Sequence, residues 1–317
     1  MKKTLPAITV VLVILNFPGC HFKEQSKSDS SASYFSQKRP TDLKIPFAYD
    51  MLTFNQQYYT RSITFSPDGK EAYWSVIDLR NGLTRWIVWS KLEKGKWTEP
   101  QLASFSKKGF EDDVPCISPD GHIMVFISRR PQDDTSKIGK ENIWMMNREG
   151  ETWSEPELLP DEVNNTGNMH QQMSIDEDNN LFFACETEDN GMDIFYSTDV
   201  NGTYQKPIRV GSVINSRDHE WSPFISADGS YLIFTRSVGE AWTLYISFRE
   251  ENGNWTTPVK LDSLLKDLDG KNLDGAFVTR DNNYLIFYIE SENECIPFWI
   301  GTSFLSKISN NIRQINF

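Results

Sequence analysis

The chain has 317 residues, a net charge of −12 and 13% aromatic residues spread along its length. That length holds one large all-β domain or two smaller ones, and the aromatics supply ample apolar area for a core. A surface this acidic repels nucleic-acid backbones and anionic lipid headgroups, and leaves neutral glycans, peptides, cations or a basic protein patch as partners.

The N-terminus reads as an export address. Lys2 and Lys3 form a basic start, and Leu5 to Phe17 form an apolar run too short to span a bilayer but of the size of a secretory signal. The run ends in Phe17-Pro18-Gly19-Cys20, where Gly19-Cys20 resembles the lipobox of bacterial lipoproteins. Phe17 and Pro18 depart from the aliphatic and small residues usual in that motif. The resemblance implies a signal peptide over residues 1–19 and lipidation at Cys20. It also implies a lipid-anchored place in the bacterial cell envelope, facing the periplasm or the surface, with the membrane touched only through the lipid. The competing reading is an ordinary signal peptide cleaved nearby. Residues 20–42, with Ser26-Lys27-Ser28-Asp29-Ser30-Ser31, bury too little apolar surface to order themselves and are expected to form a flexible tether.

From residue 43 to 317 the sequence repeats. Phe65-Ser66-Pro67-Asp68-Gly69, Ile117-Ser118-Pro119-Asp120-Gly121, Ile175-Asp176-Glu177-Asp178-Asn179, Ile225-Ser226-Ala227-Asp228-Gly229 and Val278-Thr279-Arg280-Asp281-Asn282 align, with their aligned Asp residues 52, 58, 50 and 53 positions apart. Each copy lies between apolar, strand-forming runs, which is strand–turn–strand chemistry. Gly, or Asn in its place, accepts the positive φ that closes such a turn.

A third strand is expected at Trp86-Ile87-Val88-Trp89, Asn142-Ile143-Trp144-Met145, Asp193-Ile194-Phe195-Tyr196, Thr243-Leu244-Tyr245-Ile246 and Phe298-Trp299-Ile300. Then come Trp97-Thr98-Glu99-Pro100, Trp153-Ser154-Glu155-Pro156, Tyr204-Gln205-Lys206-Pro207 and Trp255-Thr256-Thr257-Pro258. Proline cannot donate to a ladder, so this last block is read as the outermost strand. Four short antiparallel strands per repeat describe a propeller blade.

The Ser-Pro-Asp-Gly turn, aromatic strand and Trp-Ser-Glu-Pro block resemble the WD40-like repeats of the TolB-type β-propeller family over residues 45–317. The true WD-repeat and the sialidase Asp box are not matched. TolB's extra N-terminal domain has no counterpart, so its transport role is not carried over. The fold expected is all-β, a single propeller of five four-stranded blades at about 58–103, 110–160, 168–211, 218–262 and 272–317. Residues 43–50, containing Lys44-Ile45-Pro46-Phe47, and Ile312 to Phe317 compete to supply the missing outer strand of the fifth blade. Cys116, Cys185 and Cys295 are odd in number and widely spaced. The first two fall in apolar strands, as buried thiols rather than a disulfide framework.

In a propeller the segment entering each innermost strand opens on the central funnel. Equivalent positions there hold Arg61, Asp113, Gln171, Trp221 and Asp274, with Asp112, His170 and Glu220 beside them. These vary where the turns repeat, as a ligand surface on a repeated scaffold would. Trp221 suits a stacking platform under a sugar ring or an apolar side chain. Asp113, Glu220 and Asp274 are candidates for the paired carboxylates of a glycoside hydrolase. His170, His219, Glu220 and Asp112 are too sparse a set to assign a metal. No nucleophile elbow, phosphate loop or dinucleotide fingerprint is present, and neither a cofactor nor nucleic acid is expected. The reading is a non-catalytic envelope lipoprotein binding a protein or glycan, with an envelope glycan-processing enzyme as its alternative.

Overall fold

The computed structural model describes residues 33–52, 58–80, 84–132, 138–168, 171–188, 191–261, 265, 271–290 and 295–308. The signal-peptide segment, Cys20, His170 and Ile312 to Phe317 lie outside them.

Five four-stranded blades form a β-propeller, each blade an antiparallel run from the central axis outward. Blade one is built from Tyr58–Phe65, Glu71–Asp78, Thr84–Glu93 and Gln101–Leu102. Blades two to four repeat the order from Asp113–Ile117 to Glu157–Leu158, Ser174–Ile175 to Ile208–Arg209, and Glu220–Ile225 to Val259–Lys260. In blade five Asn272–Val278, Tyr284–Glu290 and Cys295–Gly301 are completed from the other end of the chain. There Ile45 pairs with Trp299 and Pro46 with Phe298. Closing the ring this way covers an edge that would otherwise expose unpaired backbone groups.

The aligned turns share one backbone. Gly69, Gly121, Gly229, Asn179 and Asn282 all take φ between 58° and 79°. In four of them the residue opening the turn (Ser66, Ser118, Ser226 or Thr279) donates its hydroxyl to the Asp two positions on, at 2.6–2.7 Å.

The outer strand differs from the sequence reading. Trp97 and Trp153 belong to short ladders that extend the third strand's hairpin, pairing with Leu92 and Arg148. The outer strands lie just beyond each proline, at Gln101–Leu102, Glu157–Leu158, Ile208–Arg209 and Val259–Lys260. Proline breaks the first ladder because it has no N–H to give, and the chain re-pairs nearer the middle of the third strand, Leu102 with Val88.

The tether boundary also moves. Residues 33–42, placed in the tether by their polar surroundings, include Tyr34, which is buried and donates its backbone N–H to the Gly69 carbonyl at 3.1 Å. Arg39 lies 5.2 Å from the Tyr34 ring and 5.4 Å from that of Trp299. Two aromatics in a serine-rich run are enough to dock it.

Apolar packing falls into five clusters, one in each gap between neighbouring blades. Phe47, Trp74 and Trp299 fill the gap where blade five meets blade one, and Ile233, Leu273 and Phe287 fill the one before it. Among the described residues each apolar cluster spans two blades, so stability belongs to the ring. Polar bonds cross the gaps near the axis as well. Ile117 N–H donates to Thr64 Oγ1 (3.1 Å) and Ile225 N–H to Ser174 Oγ (2.9 Å). Cys116, Cys185 and Cys295 are free, buried thiols, and burial pushes Cys116 up to about 11.

Candidate functional site

Each innermost strand starts at the funnel mouth and ends at its Asp-Gly or Asp-Asn turn. In blades one, two, four and five this strand carries an extra residue near the mouth. Arg61 to Thr64, Asp113 to Cys116, Trp221 to Phe224 and Asp274 to Phe277 each span three residues against two on the second strand. The residue after the mouth position takes positive φ in all four: Ser62 (53°), Val114 (47°), Ser222 (50°) and Gly275 (61°). These are β-bulges, which re-aim a side chain at a sheet end. At Val114 the conformation is strained, since β-branched residues rarely adopt it.

Because successive side chains in a strand point to opposite faces, adjacent candidates are separated. Arg61, Gln171 and Asp274 reach the mouth, together with Tyr288 and Glu290. Asp112 and Glu220 do not. Asp112 is fully buried between Arg130 (2.9 Å) and Ser106 Oγ (2.8 Å). Glu220 is fully buried between Arg236 (2.7 Å) and Ser216 Oγ (2.5 Å). Leu273, at the equivalent position of blade five, is buried too. These two carboxylates secure loops and are unavailable to a ligand or metal. Among the described residues no three His, Cys, Asp or Glu side chains converge on one point.

Asp113 is buried and held by two cations, Arg61 at 2.5 Å and Arg85 at 2.9 Å. Burial alone would raise its pKa, but the two guanidinium charges outweigh it and hold the carboxyl at about 2. Asp274 accepts from Thr235 Oγ1 and from Gly275 N–H, both at 2.7 Å. Glu290 was not foreseen. It sits diagonally across the strand pair from Asp274 and accepts from Tyr59 Oη at 2.6 Å. Burial, and then the Asp274 charge, raise its pKa. Its signal in sequence was absent, because it ends the second strand, outside the entry segments.

Trp221 lies beside the mouth in a separate open cleft between blades three and four. Gln171, Glu186, His219, Glu240 and Trp242 also line this cleft. The two indoles meet edge to face, 6.2 Å apart at 61°. His219 Nδ1 accepts from Met192 N–H at 3.1 Å.

Residues 82–296 match the family model of the BNR repeat-like domain. Among curated proteins no sequence matches the chain. Similar solved structures include TolB from Acinetobacter baumannii, at 18% identity and a TM-score of 0.45 over 78% of this chain and 55% of that one. The β-propeller domain of the Trilobed protease from Pyrococcus furiosus is similar at 13% identity and 0.43, over 76% and 82% of the two chains. A puromycin-hydrolyzing peptidase from Mycobacterium tuberculosis is similar at 10% and 0.44, over 80% and 46%. The chain thus spans a little over half the length of TolB. These are likenesses of fold, and propellers of one fold serve unrelated activities.

Proposed function

We propose that this chain, which belongs to the BNR repeat-like domain family, is a non-catalytic recognition protein of the bacterial cell envelope. In this reading it has blades of the TolB type and a lipid anchor at Cys20, and it binds a neutral glycan. The observation that carries the reading is the cleft in which Trp221 and Trp242 stand edge to face beside Gln171, Glu186 and Glu240. A sugar ring has an apolar C–H face and an edge of hydroxyls, which an indole flanked by carboxylate and amide acceptors complements. The overall charge of −12 disfavours anionic polysaccharides and leaves neutral ones.

A glycan array probed with the secreted Cys20→Ala chain tests this. We expect neutral oligosaccharide hits whose affinity falls on the order of tenfold in Trp221→Ala, with the melting temperature within a few degrees of wild type. A blank array, or hits indifferent to Trp221, would overturn the reading.

One observation favours the alternative of glycan processing. Asp274 and Glu290 share the mouth in unlike environments, and burial raises the Glu290 pKa as a proton donor needs, although the free volume at the mouth is about 10 Å³, less than a sugar ring fills. Of the three carboxylates that sequence offered for this role, Asp113, Glu220 and Asp274, the pair keeps only Asp274. If an array hit is turned over, Glu290→Gln should abolish turnover while binding persists. Turnover that survives the substitution would exclude the pair.

A further inference from the structure

Below the mouth the axis holds a second chamber. Thr64, Cys116, Gln172, Ser174, Thr279 and Arg280 contribute its polar lining. It shares Ser62 and Gln172 with the mouth above, and Tyr34 closes it at the turn end. Its free volume is about 50 Å³, room for on the order of three or four waters and too little for a sugar ring. The chamber is therefore distinct from the Trp221 cleft in both place and size.

Arg280 is the unusual member. Arg61, Arg85, Arg130, Arg148, Arg209 and Arg236, all at least partly buried or packed on aromatics, each have a carboxylate within ion-pair distance. Arg280 has none among the described residues. From the turn of blade five it crosses the axis to blade two, which is not its neighbour in the ring, and donates to the Ile117 carbonyl at 2.6 Å. A guanidinium has five N–H groups, and the Ile117 carbonyl engages one of them. Asp120, whose charge reaches it, is bonded within its own turn to Ser118 Oγ (2.6 Å) and His122 N–H (2.9 Å). Burial lowers the Arg280 pKa, which marks a cation short of compensation.

The chamber's hydroxyls point to the same chemistry. Thr64 Oγ1 and Ser174 Oγ each accept a backbone N–H from the next blade. An oxygen used as an acceptor keeps its own proton to give. We propose that this chamber binds a small oxyanion, inorganic phosphate or a short carboxylate, with Arg280 as its charge partner and Thr64 and Ser174 as further donors. Phosphate and carboxylate share the paired acceptor oxygens that a guanidinium fork recognises.

The test titrates inorganic phosphate and, separately, acetate into the secreted chain, with chloride holding the ionic strength constant. Calorimetry and thermal melts follow each titration. Saturable binding of one anion or both is expected, with a melting temperature that climbs with the logarithm of anion concentration. A response to phosphate alone assigns a tetrahedral ligand, and one to acetate alone a planar one. Arg280→Gln should weaken the response at least about tenfold, and Arg280→Lys less. Absence of saturable binding to either anion, or an equal response in Arg280→Gln, would make Arg280 a strut between blades and end the proposal. If Arg280→Gln does not fold, Ser174→Ala carries the test: an affinity loss of several-fold supports the site, and unchanged affinity overturns it.

Discussion

Single residues in this protein do different work according to which face of a strand they occupy. Asp112 and Asp113 are neighbours, yet one secures a loop through Arg130 and the other bridges Arg61 and Arg85 at the mouth. Asp113 is a depressed carboxylate, so it stabilises the fold when ionised. Its contribution is complete above its ordinary value of 3.8 and disappears as pH falls through about 2. Asp113→Asn should therefore cost on the order of 2 kcal/mol at neutral pH, leaving two cations without their shared anion. Denaturant melts of variant and wild type should converge as the pH drops across that window; a gap independent of pH would mean the charge is not what matters. At the turns, Gly121 and Gly229 have φ of 79° and 67°. A Cβ at Gly121 would also meet the Pro67 ring at 2.9 Å, whereas at Gly229 it finds only the end of Arg249 at 3.7 Å. Gly229→Val should cost roughly 1–3 kcal/mol from backbone strain, and Gly121→Val measurably more. Equal melting temperatures for the two would remove the blade-to-blade contact from the account.

At the level of elements, the repeated strands and turns were legible because local chemistry demands them. Serine or threonine, aspartate, and glycine or asparagine at set offsets leave the backbone few other choices. The outer strands were misplaced for an equally local reason. Their ladders hold two residues each, too few for period-two alternation, and the prolines that stop one ladder looked like members of the next. Closure of blade five is a tertiary matter, since residues about 250 positions apart must meet. There Phe47 is fully buried, its ring 4.9 Å from that of Trp299. Phe47→Ala should cost about 3–5 kcal/mol, as for other core aromatics, and speed hydrogen exchange along Cys295–Gly301. A protein unaffected by that change would not depend on its N-terminal strand for closure.

The whole molecule is a ring of five inter-blade cores, with its mouth at one end of the axis and its turns at the other. The chain enters at the turn end, where Ser33 Oγ donates to the Asp68 carbonyl at 3.2 Å and Tyr34 packs beside Gly69. The proposed anchor at Cys20 precedes this end of the propeller in the chain. Cys20→Ala should move the protein from the membrane fraction to the soluble one and abolish labelling by a fatty-acid probe. Membrane association that survives the substitution would remove the anchor from the proposed reading.

Sequence alone determined the blade count and the turn conformations, and marked the entry positions of the innermost strands only as candidates. The first two follow from local backbone chemistry repeated five times, which a linear pattern records in full. Tertiary structure decided which of those positions are usable. A one-residue bulge and the alternation of strand faces turn Arg61 and Asp274 to the mouth but bury Asp112 and Glu220 against arginines. Arg280 joins its site only because blades distant in sequence are packed around one axis, whereas Glu290 and Trp242 meet Asp274 and Trp221 across the strands of a single blade. Burial and partner charge depend on neighbours across those gaps, and no periodicity within one blade encodes what the next blade will present.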